Sequence, residues 1–185
     1  IDPNYKAQRA TSRITHWGLY DTKEEETESL VSQLYRTQDY IECLPMHQLS
    51  IEKLEADDII AFLAKQASKT NKKVTIVSSD KDFLQLIDKN VEVYAPVKKK
   101  TYNLDNVKDE IGVLPQNYNI VKALLGDNSD NLPGVKGLGI KTILSEWKSF
   151  TYDSNASLQV IWDHCETQIE QDKPKKIFAK ILHNW

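Results

Sequence analysis

Residues 73–95 set a strand, a short helix and a second strand in immediate succession, and no other part of the chain constrains the fold as tightly. Lys73-Val74-Thr75-Ile76-Val77-Ser78 is short, rich in β-branched residues and closed by Ser-Asp, the pattern of a buried strand. Residues 83–87 read as a short helix and Val91–Ala95 (VEVYA) as the second strand. Two strands joined through a helix run the same way, so the unit is βαβ and the sheet is expected to be parallel. An α/β class follows, with ligands expected beyond the C-terminal ends of the strands.

The remainder reads as helices around that unit. Residues 1–10 contain Pro3 and look extended. An acidic helix starts at 23 (KEEETESLV), continues toward Tyr40 and is broken by Pro45. A second helix spans about 51–67; Leu54, Ile59, Ile60, Leu63 and Ala67 give it a broad apolar side that suggests deep burial. Helices are also expected over 105–111, 115–125, 140–148, 157–169 and 174–184, with Pro115 suited to a first turn. At 185 residues the chain is one domain or one domain with a small appendage, and no linker separates the tail.

Composition excludes several classes. No apolar run approaches the ~18 residues of a membrane span, and no secretory leader opens the sequence. Cys43 and Cys165 form no C-x-x-C pattern and read as free thiols of a reducing cytoplasm. The net charge of −3 argues weakly against a nucleic-acid partner. Setting aside seven acids that could surround cations turns it into +4, which suits a polyanionic substrate.

Those seven acids fall in three short segments. Glu55, Asp57 and Asp58 (LEADDIIAFLA) sit in an otherwise apolar helix, where a carboxylate is costly unless paired or metal-bound; helix N-terminal charge is the simpler alternative. Asp80 and Asp82 (IVSSDKDFLQL) follow a strand, at the sheet edge or as a helix cap. Asp127 and Asp130 (GDNSDNLPG) lie in a segment that could also be plain turn chemistry. Taken together, hard oxygen donors suit Mg²⁺ or Mn²⁺ rather than zinc. A pair of such ions can activate water and stabilise the leaving oxygen of a phosphodiester. His16, His47, His164 and His183 are scattered and form no metal-ligand pair.

EADD, SSDKDFLQL and ALLGDNSDNLPGVKGLGIKTIL, in that order, resemble the 5′-nuclease (flap endonuclease) superfamily, and NYKAQR resembles its Tyr-Lys-x-x-Arg element. The small bacteriophage 5′-3′ exonucleases and the 5′-nuclease domain of bacterial DNA polymerase I are the closest in pattern; the likeness covers about residues 5–145. It implies a PIN-like (Rossmann-like) parallel sheet flanked by helices, with a helix–three-turn–helix DNA-binding subdomain. Residues 1–110 would be the nuclease core, including a helical arch over about 6–40, and 111–185 the DNA-binding region with the C-terminal helices. By the same resemblance, Glu55, Asp57, Asp58, Asp80, Asp82, Asp127 and Asp130 would hold two Mg²⁺ or Mn²⁺ ions. Asp57 and Asp80 would be directly catalytic, and Lys6 and Arg9 would contact the scissile phosphate.

Gly134, Gly137 and Gly139 permit close backbone approach to a phosphate chain, and Lys136 and Lys141 add charge beside them. The family's counterpart grips duplex DNA, often with a monovalent cation such as K⁺. Lys98–Lys100 reads as an exposed turn within reach of DNA. The resemblance thus implies cleavage of DNA near a 5′ flap or 5′ end at a duplex junction by a cytoplasmic monomer of a bacterial or phage-infected cell. A polymerase is an expected partner. The pattern departs at the start: the family's opening Asp-bearing strands precede the Tyr-Lys-x-x-Arg element, and the chain begins at Ile1, four residues before Tyr5. A fragment, a segment supplied in trans, or a non-catalytic DNA-binding module would each account for this.

Overall fold

The structure, a computed structural model, describes residues 18–128, 130–153, 156–170 and 175–183. They fall into two compact units. One takes in residues 18–54 with Asp130 and Asn131, and the other takes in the remaining described residues from Glu55 onward.

The first unit is dominated by α1 (Lys23–Glu42). Its start is written in the sequence. The Thr22 hydroxyl accepts from the Glu25 amide at 3.2 Å, and the Glu25 carboxylate accepts from the Asp21 amide at 3.0 Å. Thr22 thus caps the helix, and Glu25 reaches back to the residue before the cap. Glu24, Glu25 and Glu26 add negative charge to the positive end of the helix dipole. The helix stops at Cys43, ahead of Pro45, as expected. None of its residues is buried, and Leu34, Tyr35 and Tyr40 are exposed.

The second unit is built on a three-stranded sheet of β1 (Val74–Val77), β2 (Val91–Ala95) and β3 (Lys100–Tyr102), in that order. β1 and β2 are parallel, from Val74 opposite Val91 to Val77 opposite Tyr94, so the βαβ reading holds. Their connection is a 3₁₀ turn, Lys81–Leu86. The expectation of a parallel sheet needs correcting: β3 pairs with β2 antiparallel, Val93 facing Tyr102 and Ala95 facing Lys100. The reason is the tight turn over residues 96–99, where Lys99 takes φ 50° and sends the chain straight back. Lys98 and Lys99 are therefore turn residues, and Lys100 opens a strand. β2 is central and alternates cleanly, with Val91, Val93 and Ala95 in the core. Among the described residues β1 has no strand on its other side.

α2 (Ala56–Lys69) packs on β1 and on the 3₁₀ turn. It starts later than the sequence pattern suggests, because residues 51–54 form a turn, with the Leu54 amide bonded to the Ile51 carbonyl and Lys53 at φ 67°. Deep burial is also not found: Ala64 and Ser68 are its buried residues, whereas Phe62 is 61% exposed. Beyond the sheet come α3 (Val107–Ile111), a 3₁₀ turn at Pro115–Asn117, and α4 (Tyr118–Leu125). A two-residue ladder follows, β4 (Gly126–Asp127) against β5 (Leu132–Pro133), which the sequence pattern did not announce. α5 (Ile140–Glu146), α6 (Leu158–Ile169) and α7 (Lys176–His183) complete the unit. Phe150, Ile161, Phe178 and Ile181 are fully buried in the same core as Val93 and Ile76, so the tail packs on the sheet-bearing body. Fully buried Asn117 helps fix that path: its side-chain amide donates to the carbonyls of Phe150 (2.9 Å) and Asp153 (2.7 Å). Cys43 is exposed and Cys165 buried, both as free thiols, and burial pushes the Cys165 thiol up to about 11. No helix among the described residues is long and apolar enough to cross a membrane.

Candidate active site

β1 ends in Ser78-Ser79-Asp80, and the chain turns there into the 3₁₀ segment. The Asp80 carboxylate accepts from the Asp82 amide at 2.9 Å, and the Ser78 hydroxyl accepts from the Asp80 amide at 3.1 Å. Asp80 is thus the cap of this turn, held at the C-terminal edge of the parallel pair where α/β folds bind ligands. Asp82, one residue into the turn, leaves the same edge.

α4 brings the third segment to it. Lys122, in the last turn of α4, reaches Asp82 at 2.6 Å and Asp127 at 2.5 Å. One ammonium thereby ties its own segment to a carboxylate 40 residues earlier in the chain. Burial opposes the lysine's charge, but the hydrogen bonds it donates to Asp127 and Asp82 more than offset it and hold the ammonium well above its ordinary value. Tyr118, one turn earlier on α4, has its phenol pushed up by burial. Neither residue stood out in the sequence; the signal for Lys122 was a lysine five positions before Asp127 in an apolar helix.

The position of Asp127 depends on two glycines. Gly126 takes φ 76°, and a Cβ there would lie 2.2 Å from the Gly134 nitrogen. A Cβ on Gly134 would lie 2.1 Å from the Leu125 carbonyl. Backbone passes backbone at this point, so no side chain fits. Gly139, by contrast, has nothing within 4 Å of its would-be Cβ and precedes α5.

The first acidic segment is arranged differently from the expectation. Glu55 is the N-cap of α2, and Asp57 and Asp58 lie exposed in its first turn, not inside an apolar helix. The Asp57 carboxylate accepts from the Asp58 amide at 3.0 Å. α2 reverses through residues 70–73 directly into β1, so its acidic start points toward the edge that β1 runs to. Among the described residues no group of three or more His, Cys, Asp or Glu side chains gathers closely enough to hold a metal ion. Asp82 and Asp127 do converge on one cation, the Lys122 ammonium, and as hard oxygen donors they fit a divalent ion in its stead. Asp130 groups with the first unit. Lys6 and Arg9 lie outside the described residues.

A second charged cluster flanks Asp80. Glu110, on α3, meets Lys81 at 2.8 Å, Lys98 at 3.1 Å and Lys100 at 3.9 Å. The Tyr102 hydroxyl donates to the same carboxylate at 3.0 Å. These lysines, led by Lys81 and Lys98, hold the Glu110 carboxyl down at about 2.

Comparison with known proteins agrees with this architecture. The family model described as 5′-3′ exonuclease, N-terminal resolvase-like domain matches residues 1–112. A DNA polymerase I from Rhizobium leguminosarum is 40% identical over 115 residues, which cover 62% of the chain and 11% of the polymerase. A 5′-3′ exonuclease from Aquifex aeolicus is 36% identical over 129 residues, 70% of the chain and 44% of that protein. The chain spans less than half the length of these curated relatives. Among solved structures, a bacteriophage T5 flap endonuclease pseudo-enzyme–product complex with DNA and metal ions superposes with a TM-score of 0.76 at 22% identity, over 98% of this chain and 62% of that one. A T5 5′-exonuclease with bound zinc ions gives a TM-score of 0.75 at 22% identity, over 98% of this chain and 63% of that one. The fold is that of the T5 enzymes.

Proposed function

Because the chain belongs to the 5′-3′ exonuclease family through its N-terminal resolvase-like domain, we propose that it is a divalent-metal-dependent 5′-nuclease acting on DNA near single-strand/duplex junctions. The observation that carries the reading is the convergence of Asp82 and Asp127 on a single cation beside Asp80. Two carboxylates from distant segments, aimed at one positive charge at a sheet edge, are what a hard-cation site requires. That the T5 flap endonuclease was captured with DNA and metal ions supports the same substrate and cofactor class.

In this reading Asp80, Asp82 and Asp127 serve one part of a two-ion site, and Glu55, Asp57 and Asp58 at the start of α2 serve the other. Mg²⁺ or Mn²⁺, when bound, supplies charge neutralisation and water activation for phosphodiester hydrolysis. Asp80 also fixes the turn that aims Asp82, and Lys122 keeps Asp82 and Asp127 from repelling each other until a cation binds. By the family resemblance, Lys6 and Arg9 would contact the scissile phosphate. Residues 1–110 form the nuclease core. Residues 111–185 contain a helix–three-turn–helix in which Gly134, Lys136, Gly137, Gly139 and Lys141 grip the duplex backbone, with room for K⁺ among its carbonyls. Such contacts read backbone shape rather than sequence. The protein acts as a monomer in the cytoplasm, beside or fused to a polymerase.

The test is Mg²⁺-dependent cleavage of a 5′-flap duplex. Asp80→Asn and Asp127→Asn should each lower the rate by about 100-fold or more while duplex binding persists. Unchanged cleavage in both variants would refute the site. A second reading is favoured by one observation, the absence of a three-acid group among the described residues: a DNA-binding module without catalysis. It predicts binding to the flap duplex in Ca²⁺ and no cleavage in Mg²⁺ or Mn²⁺.

A further inference from the structure

Lys81 leaves the end of β1, whereas Lys98 and Lys100 come from the turn and strand that reverse the chain after β2. All three converge on Glu110, so three ammonium groups share one carboxylate and the cluster keeps an excess of positive charge. The exposure is asymmetric. The Glu110 side chain is 17% exposed, while those of Lys81, Lys98 and Lys100 are 54%, 51% and 45% exposed. The negative group is the covered centre and the positive groups form the outer face.

The cluster is held in shape. The Tyr102 hydroxyl donates to Glu110, Lys98 donates to that hydroxyl at 3.3 Å, and the Lys100 ammonium stands 4.6 Å over the Tyr102 ring. Tyr102 is itself buried in the sheet, so the platform is rigid. Beside it opens a cavity of about 130 Å³, and Asp80, Lys81, Lys98 and Tyr102 all contribute to its wall. Lys81 and Lys98 therefore face the edge at which the proposed chemistry occurs, and Lys100 stands behind them over the Tyr102 ring.

We propose that Lys81, Lys98 and Lys100, gathered around Glu110 at a cavity shared with Asp80, form a docking point for the phosphodiester backbone of a nucleic-acid strand. The proposal rests on the 5′-nuclease reading and adds a contact separate from Lys122 and from the glycine-rich segment. Lysine ammoniums bind phosphates as point charges, and fixed positive groups beside a catalytic edge raise the local concentration of a polyanion. Glu110 acts as a resident counter-anion: it holds the lysines together in the free protein and is displaced from them by phosphate.

Salt dependence of binding reads this directly. Affinity of the full chain for a fluorescent 5′-flap duplex is measured in Ca²⁺ over a KCl series. Lys98→Gln/Lys100→Gln should weaken binding and reduce the slope of log affinity against log salt by about 1.4–1.8, the release of two phosphate contacts. Lys98→Arg/Lys100→Arg should keep the wild-type slope, and Glu110→Gln should tighten binding at low salt. An unchanged slope in the glutamine variant, with an unaltered melting transition, overturns the docking point alone. If that variant melts early, Lys81→Gln replaces it, with an expected slope reduction of about 0.7–0.9 and the same overturning result. Wild-type protein that binds the flap duplex with no salt dependence overturns the nuclease reading together with this one.

Discussion

Lys122 joins two carboxylates that lie far apart in sequence, and its consequences are local and testable. Because its ammonium is held above the ordinary lysine value, its stabilising contribution is complete below the unfolded lysine value of about 10.4. It is lost only as pH rises through the higher folded value, so the bridge is fully charged at neutral pH. Replacing it removes the ammonium that joins Asp82 and Asp127. Lys122→Met should lower stability in metal-free buffer by about 1–3 kcal/mol, less than for a fully buried pair because Asp82 is 43% exposed. Added Mg²⁺ should restore more stability to the variant than it adds to wild type. Denaturant melts with and without Mg²⁺ check this, and a variant as stable as wild type and indifferent to Mg²⁺ contradicts it. The sequence made the two aspartates legible through their motifs, but not the lysine between them, because a lone lysine in an apolar helix carries no periodic signal.

At the scale of elements, the βαβ unit was legible because VTIV and VEVYA are β-branched runs with turn residues between them. β3 was not, since three residues after a lysine-rich turn give no alternation to read. The start of α2 was misjudged for a related reason: Ile51 and Leu54 continue the apolar spacing, but the left-handed Lys53 places them in a turn. That difference moves Glu55, Asp57 and Asp58 from a helix interior to an exposed helix start. The β4–β5 crossing was visible only as a crowding of glycines, whose separate tasks the structure distinguishes. Gly134→Ala should cost about 3 kcal/mol or more, because the new methyl meets the Leu125 backbone. Gly139→Ala should cost about 1 kcal/mol or less, since its Cβ enters open space. Thermal or denaturant unfolding of the two variants tests the distinction, and equal losses would mean that the crossing does not constrain the ladder.

For the molecule as a whole, sequence motifs identified the family correctly, and the fold agrees with that of the T5 enzymes. What motifs could not convey is the state of the candidate site. At the sheet edge Lys122 bridges Asp82 and Asp127, Asp80 caps the turn that carries Asp82, and the α2 acids lie at an exposed helix start. A site in which a lysine substitutes for a cation must rearrange when the cation arrives, and that is the central claim. Crystals of the protein grown with Mn²⁺ and measured at the manganese absorption edge test it most directly. The account predicts anomalous peaks coordinated by Asp80, Asp82 and Asp127, with the Lys122 ammonium withdrawn from at least one carboxylate. Lys122 still bridging Asp82 and Asp127 at saturating Mn²⁺, with no manganese peak beside either carboxylate, would contradict it.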